Sequence, residues 1–217
     1  MGDDFNSNND WVGVILKYDG KEWSIQKSYV NYSFNSVCFT DLYNGWVGGN
    51  DGDGIILKYS FGYTVSGNLL YGGRADKPLA GVTVYLVDAE GVRINKTVSD
   101  SAGFYKFEYI EPGDYSLQCE TQEPWGGSDP ADALLCNKYF LRLYNFDSPL
   151  HKTAADVNAD NIVNPIDALY INRRFIRLLG KFDKADWLFG NPHFTITNSD
   201  IQLNINALCT GDVNTSR

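Results

Sequence analysis

A twelve-residue segment with oxygen-bearing side chains at fixed intervals constrains this chain more than any other feature. The segment is 156-DVNADNIVNPID-167, and the following run 168-ALYINRRFIRLL-179 has the apolar spacing of a helix. Positions 1, 3, 5, 9 and 12 of the segment are Asp156, Asn158, Asp160, Asn164 and Asp167. Ca²⁺ takes about 6 to 8 oxygen ligands. The spacing therefore predicts a calcium loop of the EF-hand type, with the carbonyl of Ile162 at position 7. The alternative is an acidic turn that only caps the helix.

Two positions depart from the usual EF-hand loop. Asn161 replaces the glycine at position 6, and Asp167 replaces the glutamate at position 12. Asparagine tolerates a left-handed turn better than other non-glycine residues. The pattern D-x-N-x-D-x-x-V-N-x-x-D before a helix resembles the calcium repeat of dockerin modules, where aspartate is habitual at position 12. The resemblance implies an EF-hand-like helical module over residues 125–217 with Ca²⁺ as its cofactor.

An internal repeat supports this resemblance. The segment 129-DPADALLCNKYFLRLY-144 aligns with 164-NPIDALYINRRFIRLL-179, 35 residues later, as expected for tandem loop-helix units. The earlier copy has Thr121, Glu123 and Trp125 at ligand positions 1, 3 and 5, so we expect one intact calcium site. Asp212 and Asn214 resemble positions 1 and 3 of a further loop that the end of the sequence cuts off, which suggests a truncated module.

The two helices of the repeat are expected to pack on each other. Apolar residues recur at three- and four-residue steps in both, and the predicted seam is formed by Leu134, Leu141, Leu169 and Ile176. Arg173 and Arg174 follow the calcium loop on the second helix, where dockerins often carry basic residues for partner contact. We predict that this pair is a partner-binding surface; a solvated helix face is the alternative.

Residues 61–124 have the pattern of a small antiparallel β-sandwich, of immunoglobulin-like or prealbumin-like type. Short alternating runs such as 81-GVTVYLVD-88 and 103-GFYKFEYI-110 are separated by Gly, Pro and Asp turns. The residues 78-PLAGVTVYLVDAEG-91 and 97-TVSDSAGFYKFEYIEPGDYSL-117 resemble carboxypeptidase-regulatory-like and collagen-binding-protein B-type domains. Such domains serve as spacers or as surfaces that bind sugars or proteins.

Residues 1–60 resemble a fragment of a β-propeller. The runs 13-GVILKY-18 and 54-GIILKY-59 repeat after 41 residues, close to one propeller blade. With 18-YDGKEW-23 and 42-LYNGWVGG-49 they resemble sialidase-type and photosystem-assembly-type blades. Trp11, Trp23 and Trp46 are expected in the blade core, and a sugar-stacking platform is the alternative. The whole chain is thus expected to be multidomain, mainly β and then α.

Composition excludes several classes of function. The formal net charge of −9 argues against nucleic acid and anionic membranes as partners. No apolar run is long enough for membrane insertion, and 1-MGDDFNSNND-10 is too polar for a signal peptide. The four cysteines show no zinc spacing, although a disulfide between Cys119 and Cys136 is one alternative to buried thiols. Asp129 and Asp132 are interpreted as helix caps rather than glycosidase carboxylates, and the sequence contains no G-x-S-x-G, H-E-x-x-H or Gly-rich phosphate-loop motif.

These features predict a noncatalytic attachment region of an extracellular or cell-surface protein of bacterial type. Its dockerin-like part would dock a cohesin-like or surface scaffold protein. One alternative is the carbohydrate-binding tail of a secreted glycoside hydrolase or sialidase, which would bind a polysaccharide. In another alternative the calcium loop only staples a structural spacer together. A flat strip of exposed aromatics would favour carbohydrate binding, whereas an apolar and basic patch on the helices would favour docking.

Overall fold

The computed structural model describes residues 2–5, 11–18, 22–40, 44–50, 54–60 and 62–217. The chain forms two compact units. The first consists of residues 1–62 and 109–111, and the second of residues 63–108 and 112–217. The helical region and the sandwich, which the sequence places in separate domains, therefore belong to one unit. The predicted boundary after residue 124 lies inside it.

The first unit contains two antiparallel sheets of three strands, in the order β1-β2-β3 and β4-β5-β6. The strands are β1 (Gly2–Phe5), β2 (Trp11–Tyr18), β3 (Trp23–Val30), β4 (Ser33–Phe39), β5 (Asn44–Asn50) and β6 (Ile55–Ser60). Phe34 and Val47 are buried, whereas Trp46 is 42% exposed and so lies outside a core. The side chains of Trp11 and Trp23, and parts of the segments 18–23 and 42–49, lie outside the described residues. The propeller stays a prediction.

The second unit is built on a β-sandwich, as the sequence predicted for residues 61–124. One sheet has the order β10-β7-β15-β12, with β14 also on β7, and the other has the order β13-β11-β8-β9. Alternate residues of the central strands are buried, among them Val65 and Leu69 in one sheet and Leu86 and Leu117 in the other. The strands are β7 (Tyr63–Tyr71), β8 (Thr83–Val87), β9 (Arg93–Val98), β10 (Phe104–Ile110), β11 (Gly113–Glu120), β12 (Trp187–Phe189), β13 (His193–Ile196), β14 (Ile201–Gln202) and β15 (Ile205–Cys209).

Strands from the end of the chain complete both sheets of the sandwich. Ile201 of β14 and Ile205 of β15 pair with β7 in parallel, whereas β13 pairs with β11 antiparallel. Between β14 and β15 the chain approaches β7 so closely that a Cβ on Gly67 would lie 1.6 Å from the carbonyl oxygen of Leu203. Glycine is therefore required at position 67, because any side chain would displace the paired segment.

Three helices connect the two parts of the sandwich: α1 (Pro130–Phe140), α2 (Pro149–Ala155) and α3 (Pro165–Phe175). They share one hydrophobic core with the sandwich, in which Ala133, Cys136 and Ile171 of the helices lie with Tyr71 of β7 and Leu208 of β15. This common core explains why the helical region does not form a separate compact unit.

The helices contact each other through a different face from the one predicted. Ala133 and Cys136 of α1 and Ala168 and Ile171 of α3 are buried. The residues of the predicted seam are at least half exposed, at 53% for Leu134, 62% for Leu141, 54% for Leu169 and 59% for Ile176. The prediction was wrong because the buried face of each helix is the one that joins the core shared with the sandwich, and the residues of the predicted seam lie outside that core.

All four cysteines are free thiols, including Cys119 and Cys136. Burial raises the pKa of each of these two thiols to about 12, so both are protonated at neutral pH. Cys136 is fully buried in the common core, as its repeat partner Ile171 is. It packs as a small apolar residue, which agrees with the buried-thiol interpretation.

Candidate calcium site

The predicted calcium loop lies between α2 and α3. Asp156 at position 1 is the C-cap of α2, and Asn164 at position 9 is the N-cap of α3. Asp167 at position 12 is the third residue of α3, and its carboxylate completes a capping box with Asn164. The following helix is thus confirmed, and the loop is anchored at both ends by regular structure. Because these ligand positions also cap helices, the capping interpretation is compatible with a metal site.

The two end carboxylates hold the loop through backbone amides. Asp167 Oδ1 accepts hydrogen bonds from the amides of Val157 at 2.9 Å and Asn158 at 3.4 Å, and its Oδ2 accepts one from Asn164 at 2.9 Å. Asp156 Oδ1 accepts from the amide of Asp160 at 3.1 Å, and its Oδ2 accepts from that of Asn161 at 3.2 Å. Position 12 is therefore fastened directly to the residues that follow position 1, which closes the loop into a ring.

Two residues of the loop adopt a left-handed backbone. Asn161 at position 6 has φ 67° and Ala159 at position 4 has φ 59°. The expectation that asparagine replaces the usual glycine at position 6 at little cost agrees with this conformation, since asparagine is enriched there.

Burial makes the site electrostatically unusual. Asp167 is fully buried and Asp156 is 5% exposed. Desolvation raises the pKa of Asp167, and the charge of Asp156 adds to the rise, against the lowering effect of the amide hydrogen bonds. Lys184 Nζ lies 2.8 Å from Asp156 Oδ2 and also donates to the carbonyl of Thr153 at 2.9 Å. Sequence reasoning missed Lys184, because nothing in its local pattern relates it to a loop 28 residues earlier.

The oxygens of the loop fit a hard cation that accepts neutral ligands. The candidate ligands are the side chains of Asp156, Asn158, Asp160, Asn164 and Asp167 and the carbonyl of Ile162. Three are carboxylates and the others are amide or carbonyl oxygens, which Ca²⁺ coordinates well. In the described part of the chain, no cluster of His and Cys side chains of the kind that holds a softer metal is found. A softer metal that needs thiolate or imidazole ligands therefore has no comparable site in that part.

Asp129 and Asp132 occupy equivalent positions at the start of α1. Asp129 is the N-cap, and its carboxylate accepts a hydrogen bond from the amide of Ala131. The carboxylate of Asp132 accepts one from the amide of Asp129 at 2.8 Å. Their interpretation as helix caps agrees with this geometry. Asp132 is fully buried, and desolvation raises the pKa of its carboxyl to about 7.

The two arginines predicted to bind a partner have different environments. Arg173 is exposed, but Arg174 is 7% exposed and forms an ion pair with Asp186 at 2.7 Å. Its guanidinium also lies 3.4 Å from the ring centroid of Trp125 and 4.4 Å from that of Phe182. Adjacent residues on a helix point about 100° apart, so one faces solvent while the other faces the core. The prediction that Arg174 contacts a partner is therefore wrong, because its side chain is buried. Of the two arginines, only Arg173 lies at the surface, where a partner could bind it.

No helix of the described residues is long and apolar enough to cross a membrane. Two family models match consecutive parts of the chain. Residues 61–126 match the second β-sandwich domain of BOS complex subunit NOMO1-like proteins, and residues 129–176 match the dockerin type I domain. Both kinds of domain are noncatalytic modules.

Similar proteins are far longer than this chain. It is 28% identical to Colossin-A of Dictyostelium discoideum over 142 residues, which cover 63% of this chain and 1% of that protein. It is 30% identical to serine-aspartate repeat-containing protein F of Staphylococcus epidermidis over 122 residues, which cover 54% of this chain and 6% of that protein. Among solved structures, BcpA, the major pilin subunit of Bacillus cereus, is similar with a TM-score of 0.35 and 13% identity. The match covers 76% of this chain and 37% of the pilin.

The closed loop before α3, the repeat of α1 and α3, and the family matches agree on the same part of the chain. The chain carries a dockerin type I domain at residues 129–176, preceded by a NOMO1-like β-sandwich domain at residues 61–126.

Proposed function

We propose that this chain is a noncatalytic attachment region of an extracellular or cell-surface protein. Ca²⁺ held by residues 156–167 stabilises the helices, and the exposed faces of α1 and α3 dock a cohesin-like domain. A dockerin domain is a calcium-binding docking module, which supports the general function. We propose both the cohesin-like partner and the assignment of residues 156–167 as ligands of Ca²⁺.

One observation carries the docking proposal: the helices expose large apolar side chains at equivalent places. Leu134 and Leu169 are 53% and 54% exposed, and Leu141 and Ile176, just beyond the helix ends, are 62% and 59% exposed. The members of each pair are 35 residues apart, as the repeat requires. Large exposed apolar residues that recur at equivalent places of a repeat are candidates for an interaction surface. We call these four residues the apolar pairs.

Basic residues accompany the apolar pairs with the same repeat. Lys138 corresponds to Arg173 and Arg142 to Arg177, and all four are exposed. The chain as a whole is acidic, so exposed basic residues next to the apolar pairs in sequence are a local departure from its composition. A partner with an apolar centre and acidic residues at its rim fits this surface. This combination is the one expected for docking.

The recognition positions of the loop suit an apolar contact as well. Positions 10 and 11, which often carry Ser or Thr in dockerins, are Pro165 and Ile166 here, and Ile166 is 49% exposed. Neither side chain can donate a hydrogen bond to a partner. The proposed cohesin-like partner would therefore present apolar rather than hydrogen-bonding groups to this end of α3.

The test is biosensor binding to a panel of purified cohesin domains, with Ca²⁺ and with chelator. We expect calcium-dependent binding to at least one domain, weakened more by the double substitution Leu134→Ser and Leu169→Ser than by either alone. The matched control is Ile94→Ser with Val98→Ser, since these sandwich residues are 50% and 58% exposed. Binding that survives both the helix substitutions and chelation would reject docking through this surface.

A second candidate function has one specific observation in its favour. On the sheet that contains β11 and β13, the rings of Tyr115 and Phe194 lie with their centroids 6.0 Å apart, in a groove also lined by Asp114, Gln118 and His193. Aromatic rings beside hydrogen-bonding side chains suit a polysaccharide. Binding of soluble polysaccharides that Phe194→Ala abolishes, with the helix substitutions silent, would favour this function over docking.

A further inference from the structure

The last residues of the chain pack against the start of α1. The amides of Val213 and Asn214 donate hydrogen bonds to Asp132 Oδ1 at 2.8 Å and 2.9 Å. Asp132 Oδ2 accepts from the amide of Asp129 at 2.8 Å. A carboxylate at the third position of a helix thus holds two segments that are about 80 residues apart in sequence.

The same hydrogen bonds occur in the intact calcium loop. There, Asp167 binds the two amides after Asp156 through one oxygen and the amide of the helix N-cap through the other. Asp132 does the same with the two amides after Asp212 and with its own N-cap. Asp132 therefore corresponds to position 12 of a loop, and Asp212 corresponds to position 1.

The backbone after Asp212 repeats the backbone after Asp156. Asp212 accepts from the amides four and five residues later, Ser216 at 3.0 Å and Arg217 at 3.1 Å, as Asp156 does from its own loop. Thr215 has φ 58° at position 4, where Ala159 has φ 59°. The sequence D-V-N occurs at both places.

We infer that residues 212–217 and 129–132 together form a second Ca²⁺ site, a loop split between the two ends of the helical region. Asp212, Asn214 and Ser216 provide positions 1, 3 and 5, and Asp129 and Asp132 provide positions 9 and 12. The expectation of one calcium site per chain counted only residues next to each other in sequence, and it assigned the missing positions to Thr121, Glu123 and Trp125. Trp125 instead packs on Arg174.

An unsatisfied oxygen points independently to a ligand at this place. Asn214 Oδ1 is buried and has no hydrogen-bond partner in the described part of the chain. Leaving a buried acceptor without a partner costs about 1 to 3 kcal/mol, so such atoms are rare unless a water or an ion binds them. Position 3 of a calcium loop is a place where an asparagine oxygen coordinates the metal. A cation between Asn214 and Asp212 would satisfy it.

The charges of the split loop also favour a bound cation. Asp132 and Asp212 are both fully buried. Their hydrogen-bond donors are backbone amides and the phenol of Tyr71, all of them neutral, and neither carboxylate forms an ion pair within the described residues. Asp156 in the intact loop has Lys184, so the split loop has the larger deficit of positive charge. Buried carboxylates without a counter-charge are strongly unfavourable.

The sandwich positions the C-terminal half of the split loop. The phenol of Tyr71 on β7 donates to Asp212 Oδ2 at 2.5 Å, and Lys77 Nζ donates to the carbonyls of Thr215 and Arg217 at 2.6 Å and 2.5 Å. Gly127 leaves room for the carboxylate, because a Cβ there would lie 2.1 Å from Asp212 Oδ2. Ca²⁺ in this loop would therefore join the sandwich, α1 and the last residues of the chain.

The test is calorimetric titration of the chelator-treated full chain with CaCl₂. We expect two sites in the wild type, one in Asp212→Asn and one in Asp156→Asn. Asn214→Ala removes a buried oxygen without a protein partner, so it should not lower the calcium-free melting temperature, and it should weaken one site by roughly tenfold or more. The matched control is Asp100→Asn, because Asp100 also accepts two backbone amides, those of Ala102 and Phe104, but lies outside both loops.

The outcomes separate this inference from the proposed first site. A wild type with one site that Asp156→Asn removes would overturn the split loop and leave the proposed function intact. Two sites that persist in both Asp212→Asn and Asn214→Ala would also overturn it. A wild type without any site would overturn both. Far-UV circular dichroism of Asn214→Ala shows that a lost site does not result from misfolding.

Discussion

The amide of Val213 donates a hydrogen bond to Asp132 Oδ1 at 2.8 Å, which fixes the end of the chain to the start of its first helix. Val213 is also buried in the core shared by the helices and the sandwich. The helical region is therefore closed at both ends, by the loop 156–167 inside it and by residues 212–217 around it. Changes at either closure should affect the stability of the whole second unit.

Calcium should raise the thermal stability of the second unit. A ligand that binds only the folded state adds about 2.7 kcal/mol per site at a concentration 100 times its dissociation constant. Asp167→Asn should remove the part of this stabilisation that comes from the loop 156–167. The substitution weakens the ligand at position 12 and the hydrogen bonds that close the loop. The measurement is differential scanning calorimetry with Ca²⁺ and with chelator. Equal calcium shifts in Asp167→Asn and wild type would contradict the ligand set.

Lys184 should compete with calcium at the first site. Its ammonium lies 2.8 Å from Asp156 Oδ2, so a divalent ion bound by the same carboxylate is repelled by a partly buried charge. Lys184→Met should therefore tighten calcium binding by roughly tenfold, about 1.4 kcal/mol, and lower the stability of the calcium-free form. Lys181→Met, at an exposed position, is the control. Weaker binding in Lys184→Met would show that the lysine supports the ligand instead.

Arg174→Met should destabilise the protein much more than Arg173→Met does. Arg174 stacks on Trp125 and pairs with Asp186, so its loss should lower the free energy of unfolding by about 2 kcal/mol or more. Arg173 is exposed, so its loss should change stability by about 0.5 kcal/mol at most. Urea unfolding of both variants measures this difference. Similar values would mean that the guanidinium of Arg174 contributes nothing beyond its apolar stem.

His151 should make the second unit sensitive to mild acid. Burial lowers the pKa of its imidazole below the usual 6.5, although Asp147 and Asp212 partly oppose this. A depressed pKa means that the unfolded chain binds the proton more readily than the folded one. The stability that depends on neutral His151 is complete above about pH 6.5 and is lost as the pH falls through the folded-state pKa.

The check compares urea unfolding of wild type and His151→Gln at pH 7.5 and pH 5. Wild type should lose more stability than the variant over this interval, because glutamine does not titrate. His193→Gln, at an exposed position, serves as the control and should follow the wild type. An identical loss in wild type and His151→Gln would contradict the prediction.

The sequence by itself determined the features that depend on residues close together along the chain. The spacing from Asp156 to Asp167 gave the loop and its following helix, and the 35-residue repeat gave the equivalence of α1 and α3. Alternating runs gave the β-sandwich. Each of these patterns reflects a local period, of the helix, the strand or the coordination sphere, which the order of residues records directly.

Only the tertiary structure decided which distant segments meet. The sequence gives no sign that Arg174 faces Trp125, that Leu134 and Leu169 are exposed while Ala133 and Ile171 are buried, or that β15 completes a sheet begun by β7. The sequence shows Asp212 as a possible ligand, but its connection with Asp132 depends on the fold. The physical reason is that these contacts arise from packing of one shared core, whose geometry depends on all its elements at once.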